Sequence, residues 1–153
     1  MRNQRQKLLR RFNLYPPFLG AGIRVKHISE DFLRMDVEMP LRFWNRNFVG
    51  THFGGSLYAM CDPFFMIILI QNLGRDYIVW DKAATIRFKK PGKGLMTATF
   101  HIPRERIEEI RAQADAKGKI EPTFHVTVTD TDDNVIAEVD KLLYVRRKET
   151  QKA

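Results

Sequence analysis

The chain is poor in cysteine and has no very long apolar run. Cys61 is the only cysteine among its 153 residues, which excludes an intrachain disulfide and suits a reducing compartment. The longest apolar run, Pro63 to Ile70, is shorter than the roughly 18 residues of a membrane-spanning helix, so we expect no transmembrane segment. The N-terminal stretch is charged and lacks the apolar centre of a secretory signal. We therefore expect a cytoplasmic protein.

Acidic residues are also scarce relative to basic ones. The chain has 18 Asp and Glu against 26 Lys and Arg, a formal net charge of +8. A basic balance attracts polyanions such as nucleic acid, anionic lipid or a phosphate-bearing ligand. Much of the excess lies near the two ends of the chain, where it is most often a solvated surface. We expect no nucleic-acid partner.

The pattern of apolar residues and breakers predicts a single domain over residues 1–153. An amphipathic helix opens the chain within residues 1–17 and is stopped by a pair of prolines. A charged helix is predicted at 103–118, inserted between strands and ended by glycine. Strands are predicted at 23–28, 32–39, 77–89, 95–102, 124–129 and 135–145.

The segment from Gly54 to Leu73 is apolar nearly all the way round. A helix without a polar face is buried on all sides, so its neighbours must wrap it. Short connections between the later strands favour antiparallel pairing. The simplest arrangement is an antiparallel sheet curled around this central helix, which is the α+β layout called the hotdog fold.

The residues before and within this helix resemble a known family. The spacing of Asn47, Gly50, Gly54, Gly55 and Asp62 is similar to that of hotdog thioesterases of the phenylacetate-pathway type. The chain looks closer still to a related, uncharacterised (DUF4442-like) group with a Phe-Gly-Gly loop. The resemblance covers roughly residues 18–145 and includes a downstream strand that ends in an aromatic residue, two residues and a proline.

One position departs from the thioesterase pattern. Phe53 stands where the family has the histidine that precedes the two glycines, and His52 lies one place earlier. A shift of one residue in an irregular loop can turn a side chain away from the site. His52 is therefore a candidate second base or thioester donor, with a satisfied loop histidine as the alternative.

Gly55 and Asp62 carry the predicted chemistry. The N–H groups at the start of a helix can stabilise the oxyanion that develops on a thioester oxygen, and glycine lets the backbone approach closely. Alternatively, the glycines only let the loop turn into the helix. Asp62 is the candidate base, or less favourably a nucleophile, in one kinked helix that continues through Pro63. Alternatively, Asp62 caps a helix that begins at Pro63.

Asn47 and a basic cluster complete the candidate site. Asn47 could hold the attacking water or the thioester carbonyl. Alternatively, its side chain only makes hydrogen bonds that hold its own loop together. Arg87, Lys89 and Lys90 cluster at the end of a strand, where they could dock the phosphates of coenzyme A. A solvated strand edge is the alternative. No His, Cys or acidic residues stand at metal-ligand spacing, so we predict no metal.

The leading prediction is hydrolysis of acyl-CoA thioesters, with no cofactor other than the coenzyme A carried by the substrate. The departure at Phe53 favours a second possibility, a non-catalytic acyl-CoA or lipid-binding module on the same fold. The net charge alone favours a third, a nucleic-acid or anionic-membrane binder. The resemblance also implies a homodimer or a dimer of dimers that pairs along the strand at 77–89, with each site at the junction of two copies.

Overall fold

The computed structural model describes residues 2–149, with side chains from residue 4 onward; Met1 and residues 150–153 of the expected domain lie outside the described residues. In chain order, the elements of this range are α1 (Arg2–Asn13), α2 (Pro16–Ala21), β1 (Arg24–Ile28), β2 (Arg34–Pro40), α3 (Gly54–Ala59), α4 (Phe64–Leu73), β3 (Tyr77–Phe88), β4 (Leu95–His101), α5 (Arg104–Lys117), β5 (Lys119–Ile120), β6 (Thr123–Thr129) and β7 (Val135–Arg147).

The strands form one seven-stranded sheet in the order β1-β2-β4-β6-β7-β3, with β5 paired to β7. Every pair is antiparallel. Side chains alternate between the two faces, so that Met35, Val37 and Met39 of β2 are buried while the residues between them are more exposed. Strands β1 and β3 are the two edges of the sheet.

Two short elements were not predicted. The pair Pro16–Pro17 does stop α1, but it also begins α2, because proline is favoured in the first turn of a helix, where its missing N–H costs nothing. Strand β5 is only two residues long and pairs with the end of β7. Such a short element carries too few residues for its side-chain alternation to be recognised.

The apolar stretch 54–73 forms two helices, not the single kinked helix that we expected. Helix α3 ends at Ala59, and α4 begins at Phe64. Pro63 has no N–H to offer the carbonyl of Ala59, and its ring would collide with that carbonyl in a continuous helix. The amide of Asp62 instead donates to the Ala59 carbonyl at 3.3 Å. The helix therefore breaks around Asp62.

The central helices are not buried on every side, contrary to expectation. One side packs on the sheet, where the ring of Phe64 lies 4.8 Å from that of Phe100 in β4. The N-terminal helices cover part of the other side, since the rings of Phe12 and Phe18 pack at a tilt against the same Phe64 ring. Ile70 of α4 remains 38% exposed.

The stretch Gly54–Leu73 has the length and composition of a helix that could cross a membrane. The core helix of a protein that never meets a membrane can have the same composition. Here Phe64, Ile68 and Leu69 are wholly buried against the rest of the fold. An antiparallel sheet packed on an interrupted central helix is the hotdog fold that the sequence predicted.

Candidate functional site

A cleft opens where the loop before α3 meets the end of β3. The loop is anchored by a short bridge between Arg46 and His52 and by the His52 amide, which donates to Gly92 O at 2.9 Å. The cleft has a volume of about 400 Å³. It is lined by Asn47, Val49, Thr51, His52, Gly54, Leu57, Phe88, Lys89, Lys90, Pro91 and Gly92. Four predicted positions, Asn47, His52, Lys89 and Lys90, therefore meet in one place.

The amino end of α3 reaches this cleft through Gly54. The first N–H groups of a helix have no carbonyl four residues earlier to bond, so they remain available to an acceptor. The two glycines have a packing reason: a Cβ on Gly54 would lie 3.0 Å from Cζ of Phe88, and a Cβ on Gly55 would lie 2.5 Å from Cε1 of Phe53. Aromatic rings thus lie directly on the backbone that starts the helix.

Asn47 is fully engaged in its own loop. Its side-chain nitrogen donates to Thr51 Oγ1 at 2.9 Å and to His52 O at 3.3 Å. Its side-chain oxygen accepts from the amides of Val49 and Thr51 at 3.1 and 3.0 Å. In this structure the Asn47 side chain makes its hydrogen bonds within its own loop, and no donor or acceptor of its amide group is left for a ligand.

His52 is buried at the back of the cleft, with 3% of its surface exposed. Its Nε2 lies 2.8 Å from the carbonyl of Gly94, and because a carbonyl oxygen can only accept, Nε2 carries a proton and donates it. Burial lowers the pKa of His52, and the bond to Gly94 opposes this only in part. Its Nδ1 is buried and has no partner among the described residues.

Asp62 lies at the break between α3 and α4. It does not cap α4, because the residue at the capping position is Pro63 and no side chain caps the helix there. Its Oδ1 accepts from the Tyr58 hydroxyl at 2.8 Å and from Lys141 Nζ at 3.0 Å. Its Oδ2 makes no hydrogen bond within residues 4–149, and the side chain is 48% exposed, not buried as expected. One carboxylate oxygen is held, and the other faces solvent.

The partner of Asp62 was not predicted from the sequence. Lys141 lies on the core face of β7, and its side chain has no exposed surface. Its Nζ is 3.0 Å from Oδ1 of both Asp62 and Asp81 and 3.2 Å from the Tyr58 hydroxyl. Burial opposes the charge on Lys141, but the two carboxylates and the Tyr58 hydroxyl outweigh it and raise the pKa, so the ammonium persists. Burial and Asp62 raise the pKa of Tyr58, which keeps its hydroxyl protonated.

The three predicted basic residues do not act as one cluster. Lys89 and Lys90 line the cleft, where they contact Glu138 at 3.1 Å and Asn134 at 2.9 Å. Arg87 is not among the cleft residues, because side chains alternate along β3 and Phe88 faces the cleft. Arg87 instead pairs with Asp140 at 2.7 Å and Glu138 at 3.4 Å, and these acids raise its pKa.

Asp62 and the cleft of its own chain lie at opposite ends of α3. Gly54, the first residue of α3, lines the cleft, whereas Asp62 follows the last residue, Ala59, by three positions. The Asp62 carboxylate is not among the residues that line the cleft. The helix start and the carboxylate therefore form two separate parts of the candidate site.

A profile of DUF4442, a domain of unknown function, matches residues 5–145. The chain belongs to the DUF4442 family. Comparison with curated proteins gives no match. Within residues 2–149, no group of three or more His, Cys, Asp or Glu is placed to hold a metal ion.

Solved structures similar to this DUF4442 chain share its fold at low sequence identity. A protein of unknown function from Pseudomonas aeruginosa, described as a probable thioesterase, has a TM-score of 0.80 and 24% identity over 94% of this chain and 96% of that one. The PaaI protein of the Escherichia coli phenylacetic acid degradation operon has a TM-score of 0.64 and 16% identity over 95% and 92%. A thioesterase from Haemophilus influenzae has a TM-score of 0.68 and 13% identity over 97% and 94%. These similarities establish the hotdog fold.

Proposed function

We propose that this DUF4442 protein hydrolyses acyl-CoA thioesters. The observation that carries the proposal is the Asp62 carboxylate, which is fixed through Oδ1 by Tyr58 and Lys141 while Oδ2 is free and reachable. A general base needs this combination of a defined orientation and an open oxygen within hydrogen-bond reach of water. The thioesterase names of several fold relatives support the same reaction class.

The reaction would use the two parts of the site in turn. The N–H groups at the start of α3 would donate hydrogen bonds to the thioester oxygen and stabilise the negative charge that develops on it. Asp62 Oδ2 would remove a proton from water as the water oxygen attacks the carbonyl carbon. The carbon–sulfur bond would then break, and coenzyme A would leave as its thiol with that proton. The reaction needs water and the substrate alone, so we propose no further cofactor.

Lys89 and Lys90 are the residues that we propose for the phosphates of coenzyme A. Both line the cleft beside the α3 amino end, and an ammonium attracts a phosphate as a point charge. Each is already held by a neighbour, Glu138 or Asn134, so its position is defined before a ligand arrives. Arg87, which does not line the cleft, is no longer part of this proposal.

The two parts of the site would meet in a homodimer. Strand β3 is a sheet edge, and residues 82–85 in its middle are exposed. Open edges invite antiparallel pairing with a second copy. A two-fold axis near residues 84 and 85 would set Phe88, beside the cleft of one copy, opposite Asp81 of the other. Because Asp81 and Asp62 contact the same Lys141, this pairing would carry the second copy's carboxylate towards the cleft.

A non-catalytic acyl-CoA or lipid-binding module is the second candidate. The observation that favours it is the Phe53 ring, which lies against Gly55 where the thioesterase pattern has histidine. The ring fills the space where a Cβ of the second residue of α3 would lie, so an aromatic group stands at this place instead of a hydrogen-bonding one. The fold and the lysines of the cleft would still suit binding.

The decisive experiment is a thiol-release assay with purified protein and acyl-CoAs of short, medium, long and aromatic chains. We expect release of free coenzyme A from at least one of them and almost none from the Asp62→Asn variant. Calorimetric titration with the same thioesters separates the two candidates. Binding without release would support the module, and neither binding nor release would reject both.

A further inference from the structure

We propose that Lys141 is a positioning residue, which holds Asp62 in the orientation that leaves Oδ2 free to act as the base. This inference rests on the proposed function and adds a residue that no motif assigns to the site. Its basis is the place of Lys141 in the sheet and the contacts of its ammonium group.

A lysine at this position is costly unless it has a specific task. Lys141 lies on the core face of β7, together with the buried residues Val139, Leu143 and Val145. Taking an ammonium group out of water is unfavourable unless it is paired and hydrogen-bonded, and an apolar residue of similar volume is often as stable or more stable. Stability alone therefore does not account for this lysine, and the pairing partners indicate what it does.

The contacts of Lys141 are directed to one carboxylate oxygen of Asp62. Its Nζ donates to Asp62 Oδ1 at 3.0 Å and to the Tyr58 oxygen at 3.2 Å, and the Tyr58 hydroxyl donates to the same Oδ1 at 2.8 Å. Lys141 Nζ, the Tyr58 hydroxyl and Asp62 Oδ1 thus form a triangle of hydrogen bonds. A carboxylate held by two donors on one oxygen cannot rotate without breaking both bonds. The remaining oxygen, Oδ2, is therefore kept towards solvent.

The need for such a clamp follows from the helix break. Asp62 lies between α3 and α4, outside regular helix, and its side chain is 48% exposed. Neither helical packing nor burial fixes its rotamer. Lys141 is wholly enclosed, and Asp81 Oδ1, 3.0 Å from its Nζ, balances its charge from the side of β3. A buried residue on the sheet thus orients a side chain on an irregular segment.

The test compares Lys141→Met with Lys26→Met. Both changes replace a strand lysine by methionine and remove one charge, but Lys26 is 61% exposed on β1, at the opposite edge of the sheet. We expect Lys141→Met to lower kcat by about 10- to 100-fold, because misplacing a reacting group costs rates of this order. We expect KM to stay within about twofold, because Lys141 does not touch the cleft. Lys26→Met should match the wild type in both constants.

Two further measurements separate positioning from a structural role. In the double variant Lys141→Met/Asp62→Asn, kcat should be no lower than in Asp62→Asn alone, because Lys141 acts only through Asp62. Three-bond scalar couplings of Asp62 should report one side-chain rotamer in the wild type and rotamer averaging in Lys141→Met. If Lys141→Met does not fold, Lys141→Met/Asp81→Asn removes the carboxylate that is left unpaired and serves in its place.

The outcomes are distinct. Losses of kcat that multiply in the double variant, or an Asp62 rotamer that stays fixed without Lys141, would overturn the inference. A wild type that releases no coenzyme A would overturn the proposed hydrolysis, while the couplings would still decide whether Lys141 orients Asp62.

Discussion

The Asp62→Asn substitution is the sharpest perturbation of the proposed mechanism, because it removes the base with little change of shape. The amide oxygen of the variant can still accept from Tyr58 and Lys141, which bond to Asp62 Oδ1 in the wild type. What is lost is the negative charge and the ability to take a proton from water. Losing a general base slows a reaction by at least about a hundredfold, or about 2.7 kcal/mol of transition-state stabilisation.

The cost to folding should be small by comparison. The Asp62 side chain is 48% exposed, so solvent screens its half of the pair with the buried Lys141, and the amide oxygen of the variant can keep both hydrogen bonds. Lys141 keeps Asp81 at 3.0 Å, so the variant leaves no buried ammonium without an anion. We expect the melting temperature to fall by no more than about 2–4 °C, which corresponds to about 1 kcal/mol in a chain of this size.

The two quantities are measured on the same preparations, by thiol release under saturating substrate and by calorimetric unfolding. The expected result is a large loss of kcat with nearly wild-type stability. The opposite result, an unchanged initial rate with a clearly lower melting temperature, would show that Asp62 serves the fold and that the mechanism is wrong.

Three further predictions concern acid stability, thiol reactivity and assembly. Burial lowers the pKa of His52, so below about pH 6.5 the unfolded chain binds more protons than the folded one. The free energy of unfolding should therefore fall as the pH drops through that range. Denaturant titrations from pH 7.5 to 5 should show a smaller decrease in this free energy for His52→Gln than for the wild type. Burial raises the pKa of the Cys61 thiol from 9.0 to about 12, so a disulfide reagent at pH 8 should label this thiol only as the chain unfolds. Rapid labelling of the native protein would contradict the buried placement of Cys61. Lysines at exposed positions block strand pairing, so Ala83→Lys/Thr85→Lys should give inactive monomers by light scattering, and a fully active monomer would exclude a shared site. Ile86 is a poor position for that test, since it packs against the core.

The fold was predictable because its signals are local and repeated. Alternation in β2 and β4 identified paired strands, and the register that joins Met35 to Phe100 places their apolar residues on one face. The all-apolar stretch 54–73 required a sheet around it. The break at Pro63 was underestimated, because proline can either kink a helix or end it, and the choice depends on contacts made by the whole fold.

The candidate site was only partly predictable. Asp62 and the glycines stood out by spacing, but the half-exposure of Asp62 depends on the helix break. The sequence does contain a signal for Lys141: it lies on the same face of its strand as Val139 and Leu143, which makes it a charged residue on a core face. Its partner Asp62 lies 79 residues away, and no local pattern joins them. Arg87 was misplaced for a related reason, because only strand parity separates its face from that of Phe88.

The buried lysine also has a consequence for how the chain finds its register. In an antiparallel sheet, a slip of one residue exchanges the two faces of a strand. For β7 such a slip would bring Asp140 and Leu142 to the core face and carry the ammonium of Lys141 away from Asp62 and Asp81. A collapsed chain with the wrong pairing would therefore hold unmatched charges. The ammonium of Lys141 contacts both carboxylates only when β3, β7 and the helix break are correctly aligned with one another.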